Sequence, residues 1–181
     1  MTEVQQSPIR GFIAYLQGRV QAQDRGVLAD LRHAFSPGTE HRAWPHIASR
    51  CDLVDARQRA IWQTVAAGFA THEKTSRCGN LGVSLRKIAL SGANDKKEDA
   101  LKSFDARFRR LLTCETAVEV CQRLVPIIRA AKQKDVQIDF ERLFGDLQDW
   151  GRPDKDVKIR WAATYWSGEE SQSVGQGGIG E

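Results

Sequence analysis

Leu101-Lys102-Ser103-Phe104-Asp105-Ala106-Arg107-Phe108-Arg109-Arg110-Leu111-Leu112-Thr113 is the stretch whose reading decides the fold. Leu101, Phe104, Phe108, Leu111 and Leu112 recur at spacings of three and four. That places one apolar stripe along one side of a helix. Arg107, Arg109 and Arg110 crowd the last turns of the same helix. Cations there oppose the partial negative charge of a helix C-terminus. Several guanidinium groups on a rigid element also suit a phosphate backbone. Spacing alone leaves both roles open.

The same periodicity runs through most of the chain. Ser7-Pro8 reads as an N-cap followed by proline at the first helical position, with Ile9, Phe12, Ile13, Leu16 and Val20 on the apolar face. Asp24 caps a second helix, which Ser36-Pro37-Gly38 stops. Pro45 prevents one long helix after Thr39, because proline lacks an amide hydrogen and clashes with the preceding turn. Asp52 is expected to cap the clearest N-terminal helix, with Asp55 in its first turn and Ile61, Val65 and Phe69 on its face. A polar loop over 73–82 leads to a short helix from Ser84 to Leu90. Ser91-Gly92-Ala93-Asn94-Asp95 is the strongest break.

Beyond the break the pattern predicts helices over approximately 95–112, 114–133, 139–150 and 154–166, with Asp139 and Asp154 as caps and Pro126 inside the second. Four helices joined by short loops predict an up-down four-helix bundle. The chain is therefore expected to be all-α, with two helical bundles over 1–92 and 93–166. A glycine-rich, acidic tail over 167–181 has too few apolar side chains to order itself. Val136-Gln137-Ile138 alternates like a strand but is too short to build a sheet.

Composition narrows the function. The net charge is +4 over 181 residues. The basic excess lies mainly in 1–92, and the tail holds Glu169, Glu170 and Glu181 with no base. That distribution fits nucleic-acid contact. No apolar run approaches the ~18–20 residues of a membrane helix, and the N-terminus lacks the order of a signal peptide. Cys51, Cys78, Cys114 and Cys121 form no C-x-x-C pair. Cys114 and Cys121 are seven apart, on one face of the predicted helix. The expectation is a cytoplasmic protein with free thiols.

No catalytic or metal constellation emerges. Gly175, Gly177 and Gly180 match G-x-G-x-x-G, but no strand precedes them and no helix follows. His72-Glu73 does not extend to H-E-x-x-H. His33, His41 and His46 read, like His72, as ordinary helix residues. No cofactor is implied. Among the tryptophans, Trp150, Trp161 and Trp166 (with Tyr165) read as core, and a base-stacking platform is the other reading.

The basic residues cluster near predicted helix ends and loops: Lys74 and Arg77; Arg86 and Lys87; Arg107, Arg109 and Arg110; Lys132 and Lys134; and Arg152, Lys155, Lys158 and Arg160. Each cluster also reads as a solvated face. Set side by side, they would form a track that holds single strands by charge with little sequence preference.

Three blocks occur in order between residues 82 and 166. They are Gly82-Val83-Ser84-Leu85-Arg86-Lys87-Ile88-Ala89, then Phe108 to Thr113, then Ile138-Asp139-Phe140 with Leu143, Leu147 and the closing Trp150-Gly151. In order and spacing they resemble the small subunit (CasB family) of Cascade, the type I-E CRISPR surveillance complex. The resemblance implies a non-enzymatic, all-helical, two-domain subunit that stacks head to tail with a second copy and touches other Cascade subunits. Its implied ligands are the CRISPR RNA, the target DNA and the displaced single strand, with guide–target pairing supplying the sequence information. Carried over by position, Arg109, Arg110 and Arg152 are the implied nucleic-acid contacts, then Arg86 and Lys87. Arg107, Lys74, Arg77, Lys158 and Arg160 complete the candidates. The residues leave two rivals open, a helix-turn-helix regulator reading DNA through 84–90 and a helical protein-interaction scaffold.

Overall fold

The computed structural model describes residues 8–93 and 96–168, and among them every regular element is helical. In chain order these are α1 (Pro8–Gln21), α2 (Arg25–Arg32), α3 (Trp44–Ile47), α4 (Ala56–Thr71), α5 (Leu81–Leu90), α6 (Lys97–Leu112), α7 (Ala117–Gln133), α8 (Phe140–Asp149) and α9 (Val157–Ser167). Short 3-10 turns over His33–Phe35 and Glu40–Ala43 join α2 to α3. No helix among the described residues is long and apolar enough to cross a membrane.

The fold is arranged around α4. From Ile61 to Ala70 every residue except Gln63 is buried. A helix apolar on all sides needs cover on all sides. Its neighbours are α2, α7 and α8. Thr64 lies beside Cys121, Gly68 beside Ile128 and His72 beside Val136, so α4 and α7 run parallel. Gly68 faces Phe140, Trp62 meets Phe144 edge-on, and Arg57 donates to the carbonyls of Leu147, Gln148 and Trp150, so α8 runs antiparallel to α4. The turn after Ser91 separates α5 from α6 in the chain. Buried side chains nonetheless form one cluster from Ile9 to Tyr165, because α4 and α5 pack on α7, α8 and α9 across that turn.

Local chemistry moves several expected helix ends. Asp55, not Asp52, caps α4: its carboxylate accepts from the amides of Arg57 and Gln58. Asp52 instead accepts from Val54, closing the turn before the helix. Asn80 caps α5, which starts at Leu81 rather than Ser84. Asp24 and Asp139 cap as expected. Asp154 does not, because a turn intervenes and Asp156 enters α9 at φ 48° with no side-chain cap. Cys114 precedes α7, so it does not share a helical face with Cys121, although both are buried. Ser7, Asn94, Asp95 and residues 169–181 lie outside the described residues. Ser167, expected in the tail, ends α9, and Gly168 follows at φ 77°.

The loop over 73–79 is pinned to 136–138 and does not hang free. Thr75 and Ile138 form an isolated parallel bridge, and Ser84 Oγ donates to the Gln137 carbonyl at 2.9 Å. His72 Nε2 sits 2.7 Å from the Val136 carbonyl, so this buried histidine is used in joining α4 to that segment.

α5 and α9 approach most closely at Gly82. A β-carbon there would collide with the Trp161 carbonyl and Thr164 Oγ1. Neither can retreat easily, since Thr164 Oγ1 also donates to Asn80 Oδ1 at 2.7 Å. Gly82→Ala is expected to lower unfolding free energy by about 1–3 kcal/mol, the usual cost of overpacking, as read by denaturant titration. The matched control Gly18→Ala, with open space around the position, should not destabilise.

Candidate nucleic-acid interface

How far the protein has already paired a cationic side chain decides how much of it is left for a ligand. That test divides the ten candidates. Arg160 Nη2 lies 3.0 Å from Asp146 Oδ1. Asp146 is 2% exposed and also receives the Trp161 indole N–H at 2.6 Å. Burial pushes the Asp146 carboxyl above its ordinary pKa, against the pull of Trp161, Arg142 and Arg160. Arg160 and Arg142 therefore balance a charge that would otherwise be stranded inside. Arg86 Nη1 donates to the carbonyls of Tyr165 and Trp166 at 2.7 and 3.3 Å, capping the C-terminus of α9. Lys134 does the same for α5 through the Ile88 carbonyl.

Lys74 and Arg152 are exposed but paired. Lys74 is bonded to both carboxylate oxygens of Asp135. Arg152 lies between Asp149 and Asp154 at 3.4 and 3.8 Å. Lys158 sits over the Trp150 ring at 5.4 Å, with no ion pair among the described residues. Lys87 and Arg77 are exposed without ion pairs there, on separate elements. The candidates are thus not one continuous set of free cations.

The free cations that do converge are on α6 and α7. Arg107, Arg110 and Arg123 line a groove of about 350 Å³ between the two helices, over Phe104, Leu111, Pro126, Ile127 and Ala130. All three arginines are exposed and form no ion pair among the described residues. Arg107 and Arg110 lack an acid four residues before them on their own helix. Arg123 was missed. Glu119, four residues earlier, reads as its partner on a solvated face. In the structure Glu119 turns the other way: its carboxylate accepts from the Glu115 amide at 2.9 Å, while Thr116 Oγ1 accepts from the Glu119 amide. This pair of bonds at the start of α7 occupies the acid and leaves Arg123 without an ion pair among the described residues.

Arg109 points to the opposite flank of α6. Its Nε donates to Asp105 Oδ2 at 2.7 Å, and its guanidinium lies 5.2 Å from the centre of the Trp166 ring. Burial raises the Asp105 pKa, but hydrogen bonds from Arg109 and Trp166, with the Arg109 charge, outweigh it and hold the carboxyl below its ordinary value. Trp166 is 44% exposed and so departs from the core role expected of it; one residue further round α9 than Tyr165, it leaves the buried face. Trp150, Trp161 and Tyr165 are buried as expected. α6 therefore carries arginine on both flanks, on a scaffold fixed by Phe104, Phe108 and Leu111 beneath.

α5 cannot serve as a recognition helix. Leu81, Gly82, Ser84, Leu85, Ile88 and Ala89 are buried, and the helix lies against α9 and α6. A reading helix must offer a polar face to a groove.

The model of the family described as CRISPR-associated protein Cse2 matches residues 27–166. A Thermus thermophilus protein described as CRISPR-associated protein Cse2 is 29% identical over 172 residues, 92% of this chain and 94% of that one. The crystal structure of a CRISPR-associated protein of the Cse2 family from the same organism superposes with a TM-score of 0.69 at 26% identity, covering 89% of this chain and 99% of that one. The crystal structure of M. ruber CasB gives 0.68 at 22% identity, with 89% and 93% covered, a likeness of fold alone.

Asp146→Ala is expected to cost roughly 3 kcal/mol in denaturant unfolding, because it strands the Trp161 N–H and the Arg160 charge. Arg152→Ala, whose acidic partners are solvated, should change stability by less than about 0.5 kcal/mol.

Proposed function

The chain belongs to the CRISPR-associated Cse2 family, and from that premise we propose that it is a non-catalytic subunit of a type I-E RNA-guided surveillance complex. In that role it holds nucleic-acid backbone by charge, helping to stabilise the guide–target hybrid and the displaced strand. Base pairing with the guide supplies sequence, so the protein needs only correctly placed cations. Other subunits of the complex and a second copy of this chain are its proposed protein partners.

The convergence of Arg107, Arg110 and Arg123 on one groove carries this reading. Three guanidinium groups without carboxylate partners repel one another in the free protein, and an anion between them removes that repulsion. Each presents up to five N–H donors in a planar fork that matches phosphate oxygens. The apolar floor adds no base-edge donor or acceptor, so the groove favours backbone over sequence. Of the remaining candidates, Arg109 and Lys87 extend the surface from α6 and α5. Arg86 and Arg160 support it from beneath, by closing α9 and balancing Asp146.

The test is salt-dependent binding to unstructured single-stranded DNA and RNA. Affinity should fall linearly on log–log axes, at roughly −0.7 per phosphate neutralised on a single strand. Arg107→Ala, Arg110→Ala and Arg123→Ala should each weaken binding on every sequence alike and flatten that slope by about one phosphate, with unfolding free energy moved by less than about 0.5 kcal/mol. Unaltered affinity and slope in all three variants would overturn the assignment of the groove.

A further inference from the structure

Among the described residues, three large apolar side chains are well exposed: Val54, Ile159 and Trp166. Isolated exposed aliphatic groups are ordinary. Trp166 differs because it is held in place. Its indole Nε1 donates to Asp105 Oδ1 at 2.8 Å. The other oxygen of that carboxylate accepts from Arg109 Nε at 2.7 Å. One side chain of α6 thus orients both an arginine and a tryptophan. Phe108 meets the indole edge-on, with ring centres 5.3 Å apart at 64°, and Tyr165 does so at 5.6 Å and 80°. The ring is fixed by two aromatic contacts, one hydrogen bond and an overlying guanidinium, yet 44% of the residue remains open.

Burial alone does not require this arrangement. Trp161 and Tyr165 on the same helix are already fully buried. A rigid, partly open indole loses little conformational freedom when a flat group lands on it. It also sits on the flank of α6 that carries Arg109, while Arg107 and Arg110 lie within two turns of Asp105 on the other side of the same helix. An aromatic face beside phosphate-binding cations suits one chemical class, an unpaired nucleotide. The π-face takes the base and the guanidinium groups take the backbone. In a duplex the base faces are already stacked and cannot reach such a ring.

We infer that Trp166, positioned by Asp105 and Arg109, is a stacking site for one unpaired base of a single strand whose phosphates lie along α6. The inference rests on the backbone-binding reading above and adds to it a preference for single strands over duplex. Stacking carries no donor–acceptor code, so the site accepts any of the bases. Arg109 binds phosphate with the donors that Asp105 leaves free, and its position over the ring adds a cationic neighbour to the stack.

The experiment compares three probes on the full chain: a short oligo-dT strand, the same length of backbone built from abasic spacers, and a duplex. For the wild type, oligo-dT should bind on the order of tenfold more tightly than the abasic strand, the usual effect of one stacked base. It should also quench tryptophan emission, which the abasic strand should not. Trp166→Leu should remove both the quenching and the tenfold preference while leaving affinity for the abasic strand unchanged. Trp166→Phe keeps a smaller ring and should retain part of the preference. It also serves as the folded control if the leucine variant loses stability through Phe108. Asp105→Asn should reduce the preference with Trp166 still present, because the indole loses its anchor. An unchanged ratio of oligo-dT to abasic affinity in Trp166→Leu, or equal wild-type affinity for the two strands, would overturn the stacking site and leave the backbone reading standing. Failure of the wild type to bind either strand would overturn both.

Discussion

A helix with no exposed face over ten residues constrains everything around it. Between Ile61 and Ala70 only Gln63 is not buried, and the run Ala66-Ala67-Gly68 is small enough for neighbours to come close on more than one side. At Gly68 the space a β-carbon would need is occupied by Phe140 and Ile128. α7 and α8 are brought against α4 there, one parallel and one antiparallel. α6 in turn lies against α5, which itself packs on α7 and α9. The groove lined by Arg107, Arg110 and Arg123 follows from that chain of packing, which begins with a helix carrying no functional residue.

Charge is sorted by the same packing. Asp146 is carried inside with α8, and Trp161, Arg160 and Arg142 gather around it because a buried carboxylate without partners would cost several kcal/mol. Arg57 and Arg86 satisfy the free carbonyls that end α8 and α9. These arginines are as basic as those of α6 and, read along the chain, equally suited to phosphate. What distinguishes Arg107, Arg110 and Arg123 is the absence of an acid or a helix end near enough to occupy them. Under the proposed function, that absence is what leaves them available to phosphate.

The sequence by itself determined the helical class, because the three-and-four spacing of apolar residues recurs from Ile9 to Tyr165 and strand-like alternation does not last beyond Val136–Ile138. It determined the starts of α2 and α8, where Asp24 and Asp139 accept from amides three residues on. It also left Arg107 and Arg110 without an acid one turn earlier on their own helix, their i−4 positions being Ser103 and Ala106. Tertiary structure decided everything that depends on residues far apart in the chain. Asp146 and Arg160, and Arg86 and the α9 carbonyls, become partners only when the helices meet. Trp166 stayed partly exposed because the adjacent Tyr165 takes the buried face of α9 against Phe108 of α6. Local rules are written in the periodicity of one helix, whereas pairing across helices depends on packing distances that no single stretch of sequence contains.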